Sequence, residues 1–358
     1  MSKKIKLGIV GTGSMANMHA ENFHKIADVE LTSCHDVVAD CAATFARKHG
    51  FKHVAKSLDE LLDQVDAVSV VTPDRFHAEP SIAVLRSHRH LFCEKPLTVT
   101  LDEAHKVAAA AEKASRHGVI HMVNFSYRYS AAFLKAIELV ASGTLGPIRH
   151  VRSFYLQSWL ASDMWGHWTS DRWQWRLQTA AGSGGVLGDI GCHILEMTTA
   201  VAGDVARVRC DLRTFPKIDD GKPFTEWKGK KLDANDSAVI TLEFDHSGVG
   251  LVETTRWATG HKNHLRLEAH GTEGALRFDL DDDPHRLELC LGRDKDTATW
   301  KPETLTPPPS LYQRFIHAIR TGRAEQPDVP RGAQIQAYLD ACDRSAKSER
   351  WETVRDWK

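Results

Sequence analysis

Residues 4–23 read KIKLGIVGTGSMANMHAENF. The apolar run that ends at Val10 predicts a buried strand, and the residues after Gly13 predict a helix. Between them Gly11, Gly13 and Ala16 form G-x-G-x-x-A. Gly11 permits the tight strand-to-helix turn, and Gly13 leaves room for a pyrophosphate against the backbone. Ala16 lets the helix pack closely on the strand. The new helix would offer its N–H groups and dipole to phosphate oxygens. A second strand-like run, Val29–Cys34, leads to Asp36, 20 residues beyond Ala16. A carboxylate there suits a pair of ribose hydroxyls and repels a 2′-phosphate. Val37 and Val38 bring no cation to offset that repulsion, so NAD is favoured over NADP.

Strand and helix patterns keep alternating. Phe51–Val54 reads as a short strand, Leu58–Gln64 as a helix, and Ala67–Val71 as a buried strand stopping at Thr72-Pro73. A helix through Leu85, a strand His90–Cys93, a long helix Leu101–His117 and a strand Val119–Val123 follow. This order predicts a Rossmann-type, doubly wound parallel sheet over residues 1–123, with ligands at the carboxyl ends of its strands. Gly11, Thr12, Gly13, Ser14, Met15, Asp36, Thr72, Pro73, His77, Glu94 and Lys95 are the expected cofactor contacts. Pro96 disfavours helix at Lys95, so that ammonium sits on an extended turn where it can polarise an oxygen or assist a proton transfer.

Residues 124–358 read as a second, α+β domain with a large, mostly antiparallel open sheet. Strands are expected at Pro147–Tyr155, Val205–Thr214, Ala238–Phe244, Gly248–Trp257, His264–His270, Ala275–Leu280 and Arg286–Leu291, and alternation is plain in LRLEAH and ALRFDL. Helices are expected at Ala131–Ser142, Ser310–Thr321 and Gln334–Ser345, the last returning towards the first domain. Thr214–Asn235 reads as an exposed polar loop, either covering the site or serving no role there. In Gly184–Glu196, GGVLGDIGCHILE, a helix starting near Asp189 would set Asp189 and His193 on one face. An N-capping aspartate with a buried histidine is the alternative. Five of the ten tryptophans lie between Trp159 and Trp175. They suit the C–H faces of a sugar, or a core gap or subunit interface, equally well; Trp175 and Arg176 lie nearest the glycine turn.

Bulk composition narrows the partners. The chain has 358 residues, is 42% hydrophobic, and carries a formal charge of −1, which argues against nucleic acid and an anionic membrane. Seven scattered cysteines without C-x-x-C argue against a disulfide framework and a zinc ribbon. No metal centre is expected. The N-terminal apolar run is too short for a signal peptide, no stretch approaches a membrane span, and a cytoplasmic protein is expected.

GTGSMA at 11–16, TPDRFH at 72–77, EKPLTVTLDEA at 94–104, NFSYRYS at 124–130 and GGVLGDIGCH at 184–193 occur in one order. Together they resemble the glucose–fructose oxidoreductase, inositol dehydrogenase and rhizopine-catabolism (Gfo/Idh/MocA) family. That resemblance implies NAD(P)-linked oxidation or reduction of a sugar or cyclitol hydroxyl, with Lys95, Asp189 and His193 facing the reacting carbon. It also implies a homodimer or homotetramer built through the C-terminal sheet. Asn124, Arg128, Trp175 and Arg176 are the further expected substrate contacts. Glu196 stands where some relatives have an aspartate soon after the histidine. Two other readings are an NAD-dependent glycoside hydrolase or lyase working by transient oxidation and elimination, and a non-catalytic nucleotide-binding sensor.

Overall fold

The computed structural model describes residues 3–356. The chain divides into two compact units, and the boundary falls after Ser126. The second unit holds Tyr127–Pro308 and Ala337–Asp356; Pro309–Gln336 joins the first. The division expected at 123/124 had left that segment in the second domain. It belongs to the first because Leu311, Tyr312, Phe315 and Ile316 are core residues there, packed with Phe23 and Phe92.

The first unit is a six-stranded parallel sheet. Its strands are β1 (Ile5–Val10), β2 (Val29–His35), β3 (His53–Val54), β4 (Ala67–Val70), β5 (His90–Cys93) and β6 (His121–Val123), in the order β3-β2-β1-β4-β5-β6. The winding direction changes between β1 and β4, and a ligand crevice opens at the carboxyl ends of strands at such a point. All four residues of β4 are buried, as expected where helices cover both faces. The helices α1 (Ser14–His24), α2 (Ala39–His49), α3 (Leu58–Leu62), α4 (Ala78–Arg86) and α5 (Leu101–Ser115) supply that cover. Thr100 and Glu103 form a reciprocal cap that starts α5. β3 is shorter than expected: its two residues are exposed at the sheet edge, while Phe51 turns into the core.

The second unit is built on a nine-stranded sheet that wraps the helices α6 (Ala131–Ala141) and α8 (Cys192–Ala202); a one-turn helix, α7 (Asp171–Gln174), lies between them in sequence. Its strands are β7 (Ile148–Leu156), β8 (Val205–Arg213), β13 (Ser237–Phe244), β14 (Val249–Thr255), β15 (His264–Gly271), β16 (Gly274–Asp279), β17 (Arg286–Leu291), β18 (Lys301–Thr304) and β19 (Glu352–Thr353). They run in the order β18-β17-β16-β15-β7-β14-β13-β8-β19. Every neighbouring pair is antiparallel except β7 and β14. Alternate residues of β13 and β15 are buried, so one face of the sheet carries the packing.

The Thr214–Asn235 segment is not a plain exposed loop. It folds into two small hairpins, β9 (Lys217–Asp219) with β10 (Lys222–Phe224) and β11 (Glu226–Trp227) with β12 (Lys230–Lys231). Trp168 donates its indole N–H to the Ile218 carbonyl at 2.7 Å. Lys217 is fully buried against Asp236 at 2.6 Å. Towards the C-terminus come α9 (Leu311–Thr321) and α10 (Val329–Ser348). The latter starts earlier than the expected Gln334, since Pro330 fits a first turn. Among the described residues no helix is long and apolar enough to cross a membrane.

Candidate active site

The turn after β1 has the shape a dinucleotide requires. Gly11 has φ of 85°, and a Cβ there would lie 2.8 Å from backbone atoms of Val71 and Thr72. Gly13 caps α1, and a Cβ on it would meet nothing within 4 Å. No side chain caps α1 and no acid lies in its first turn, while Ser14 and Met15 are exposed beside it. An open helix N-terminus with space before it fits a pyrophosphate.

Asp36 sits where β2 ends. Its Oδ2 accepts from the Thr12 amide at 2.7 Å and the Thr12 hydroxyl at 2.9 Å, and its Oδ1 from the Val38 amide at 2.9 Å. Burial alone would raise its pKa, but those three bonds outweigh burial and lower it. A carboxylate accepts about four such bonds, so capacity remains for a ribose hydroxyl. Val37 and Val38 are exposed beside it and supply no cation. Asp36→Ala is expected to erode discrimination between NAD and NADP, measured as the ratio of kcat/KM for the two. An unchanged ratio would remove Asp36 from cofactor choice.

Three expected cofactor or substrate contacts turn inward instead. His77 is fully buried, its ring nitrogens 2.7 and 2.8 Å from the carbonyl oxygens of Pro96 and Thr72. It ties the 72–77 turn to the turn carrying Lys95, and neither nitrogen faces a ligand. Glu94 Oε1 accepts from His19 Nε2 at 2.7 Å and Asn124 Nδ2 at 2.6 Å, and Oε2 accepts from the Lys95 amide at 3.2 Å. Asn124 is 2% exposed, and its Nδ2 is thereby engaged inside the unit. A tyrosine on α9, Tyr312, packs edge-on against His19 at 5.2 Å. Local sequence does not reveal this group, because the partners of Asn124 are 30 and 105 residues distant. Lys95 itself is half-buried at the rim of this network.

Burial pushes the Glu94 carboxyl up, but the bond and charge of His19 and the charge of Lys95 prevail and hold it at about 2. Its folded pKa therefore lies below the ordinary 4.5. The stabilisation is complete above about pH 4.5 and is lost as pH falls towards about 2. Glu94→Gln is expected to cost of order 2–3 kcal/mol at neutral pH, with the deficit narrowing on acidification. Urea titrations of both proteins between neutrality and pH 3 test this; a deficit constant with pH would contradict it.

In the second unit the glycine turn is held by Asn235. Gly185 has φ of 65°, and a Cβ there would strike the Asn235 amide at 2.4 Å. Asn235 Oδ1 accepts from the Leu187 amide at 3.0 Å. Helix begins at Gly185, before the expected start, and opens into a π-helical stretch, Leu187–Gly191, before α8. Such wide turns displace side chains from the regular ladder and are frequent at functional sites. Asp189 lies inside this stretch and is not an N-cap; His193 follows in the first turn of α8.

Asp189 Oδ2 is 3.0 Å from Arg256 Nη2 and 3.6 Å from Arg176 Nε. Arg256 is fully buried, donates to the carbonyls of Arg176 and Gly185 at 3.2 Å each, and lies 5.0 Å over the Trp159 ring. Burial works against its charge, and Asp189 and Asp236 oppose that effect. Arg176 stacks 4.3 Å over Trp175. The carboxylate, two guanidiniums and an indole thus converge, with Asp189 about a quarter exposed. A carboxylate so paired stays an acceptor, suited to a hydroxyl donor.

His193 is 7% exposed, and the Tyr127 ring meets it edge-on at 5.0 Å. The Tyr127 and Tyr155 hydroxyls are 2.6 Å apart, and Tyr155 donates to Asn263 Oδ1 at 2.8 Å. Arg128, an expected substrate contact, points away. Its Nε donates to Glu196 Oε1 at 3.0 Å, its Nη2 bonds the same oxygen, and its guanidinium covers Phe133. The pair is buried, with the Arg128 and Glu196 side chains 8% and 2% exposed. Trp159 and Trp168 are core, with Trp165 and Trp173 packed beside them; of the five, Trp175 stands outside that cluster.

Arg256, Tyr127 and Tyr155 escaped the sequence reading. For Arg256 a signal existed: it continues the inward phase of Gly250, Val252 and Thr254, and a charge on a buried phase requires a partner. The tyrosines gave none.

Residues 5–125 match the oxidoreductase family with an NAD-binding Rossmann fold, and residues 133–277 match the GFO/IDH/MocA C-terminal domain. Levoglucosan dehydrogenase of Pseudarthrobacter phenanthrenivorans is 28% identical over 98% of both chains. D-glucoside 3-dehydrogenase of Escherichia coli is 30% identical over 71% of both. The solved complex of levoglucosan dehydrogenase with NADH and levoglucosan superposes with a TM-score of 0.85, at 26% identity over 99% of this chain and all of that one.

Proposed function

Because the chain belongs to the GFO/IDH/MocA family of NAD-binding oxidoreductases, we propose that it oxidises a secondary hydroxyl of an uncharged sugar or cyclitol. It is an NAD-dependent oxidoreductase, and the residues of its Gly11–Gly13 turn and Asp36 fit that cofactor. The single observation that carries the substrate class is Asp189, held between Arg256 and Arg176 one turn before His193.

Bound NAD supplies the acceptor for the hydride of the oxidised carbon. An imidazole nitrogen of His193 takes the proton of the hydroxyl on that carbon, and Tyr127 fixes the ring against which it works. Asp189 accepts a hydrogen bond from a neighbouring hydroxyl and so orients the ring. Trp175, stiffened by Arg176, offers an apolar face to the C–H side of the sugar. Lys95 stabilises the developing alkoxide, which has the opposite charge.

Full-length coverage of a levoglucosan dehydrogenase makes anhydrosugars the first compounds to test. Levoglucosan, free sugars, inositols and glycosides are each incubated with protein and NAD, and NADH is followed by fluorescence beside product chromatography. The expected result is stoichiometric NADH and a keto product. Aglycone release without NADH, or no turnover on any compound, would overturn the proposal.

The assembly is part of the same reading. The uncovered sheet face exposes Val239 and Val249 among charged neighbours, which supports a homodimer or homotetramer built through it, tested by light scattering. All seven cysteines are free, which supports a cytoplasmic setting.

A further inference from the structure

Away from Asp189 and His193, the second unit holds a group of donors that the dehydrogenase reading does not use. His261, His264 and Asp281 each bring one ligand atom within 4.8 Å of the others. The histidines come from His261-Lys262-Asn263-His264, at the entry to β15. Their Nδ1 atoms lie 2.9 Å apart, with the rings tilted at 32°. The other nitrogen of His264, Nε2, lies 2.7 Å from Asp279 Oδ2.

That last contact decides the tautomer. A carboxylate only accepts, so the proton of neutral His264 resides on Nε2. Its Nδ1 is then a lone pair directed at His261. Metal-binding histidines are fixed in this way: one ring nitrogen donates to a carboxylate and the other is presented to the ion.

We propose that His261, His264 and Asp281 bind a divalent transition-metal ion of the zinc type, with Asp279 as the outer carboxylate that orients His264. Two imidazoles and one carboxylate suit such an ion and are a poor set for Mg²⁺ or Ca²⁺. Metal–nitrogen bonds of about 2.0–2.1 Å put tetrahedral donors roughly 3.4 Å apart. The imidazoles therefore separate by about half an ångström, and exposed Asp281 closes in. In His261 the proton passes from Nδ1 to Nε2, so the ring stays neutral and no oxidant or reductant is involved. Water takes the fourth position.

The ion has a structural task. Asn263 lies between the two ligands in sequence, and its Oδ1 accepts from Tyr155 at 2.8 Å and from Gln157 at 2.7 Å. Tyr155 in turn bonds Tyr127, the ring that backs His193. A cation on His261 and His264 therefore clamps the segment that anchors this wall. It takes no part in the hydride or proton transfer, and the site stands or fails independently of the substrate proposal.

The experiment uses full-length protein freed of metal by chelation and titrated with Zn²⁺ calorimetrically and with Co²⁺ by visible absorption. One ion per chain is expected, with the intense ligand-field band of tetrahedral Co²⁺ and a raised unfolding midpoint. His261→Ala abolishes uptake, band and midpoint shift; His261→Gln does the same if the alanine variant is unstable. Asp279→Asn weakens binding roughly 10- to 100-fold. Cys41, the exposed cysteine, is the rival ligand, and Cys41→Ser retains full uptake. No uptake of either ion, uptake unchanged in both His261 variants, or uptake lost in Cys41→Ser would overturn the site.

Discussion

His193→Asn is expected to lower kcat by roughly 10²–10⁴-fold while NAD binds as before. Asparagine keeps most of the volume against Tyr127 but cannot take a proton near neutral pH. The NAD-binding match covers residues 5–125 and leaves out His193, so NAD affinity has no reason to change. Lys95→Ala should give a loss of the same order for a different reason. The alkoxide then forms without a cation opposite it, and part of the rate returns at higher pH or with added alkylamine. Stopped-flow turnover, with NADH fluorescence titration as the binding control, separates the two effects. A near-normal rate in either variant would remove that residue from the chemistry.

Arg256→Met is the second large effect, and it acts on both folding and the site. The guanidinium is fully buried and bonds Asp189 together with two carbonyl oxygens. Removing one partner of a buried pair costs about 3–5 kcal/mol, because the remaining charge and acceptors lose their donor. Asp189 retains Arg176 at 3.6 Å and some water, which favours the lower end of that range. A methionine preserves the contact with Trp159, so the loss reports on the charge. Activity falls as well, through a raised KM, since Asp189 is no longer held where a substrate hydroxyl would meet it. Asp189→Asn in the Arg256→Met background should add little further loss of activity. Additive losses in that double-mutant cycle would show that the two residues act separately.

Much of the first unit was legible because its signals are local. The glycine turn is imposed by sterics within a few residues, and Gly11 does have the backbone that only glycine adopts freely. Strand and helix periods follow from which face is buried, so the six parallel strands could be laid out in order. The second unit was readable for the same reason, except at β18, β19 and the four hairpin strands, which are two to four residues long and mostly not buried. Such segments are too short to show a period.

Side-chain direction was the part that failed. Asn124, Arg128 and His77 looked like ligands because they are polar and follow strand ends. Each is turned inward by a partner chosen by the fold: Glu94, Glu196, and the carbonyls of Pro96 and Thr72. Composition leaves the tryptophans open between sugar platform and core or subunit interface; packing puts Trp159 and Trp168 in a core cluster, with Trp165 and Trp173 partly buried against it.

Sequence alone determined the two architectures, the glycine turn after β1, the place of Asp36 at the end of β2, and the four-residue spacing of Asp189 and His193. These depend on steric limits and periodicities that operate over one turn or one strand. Tertiary structure alone decided that Arg256, 67 residues after Asp189, is its counter-ion. It also decided that Arg128 belongs to Glu196, and that His261 and His264 point their nitrogens at each other. Sheet register sets which distant side chains share a buried space, and a buried charge or lone pair must then be satisfied by whatever lies across from it.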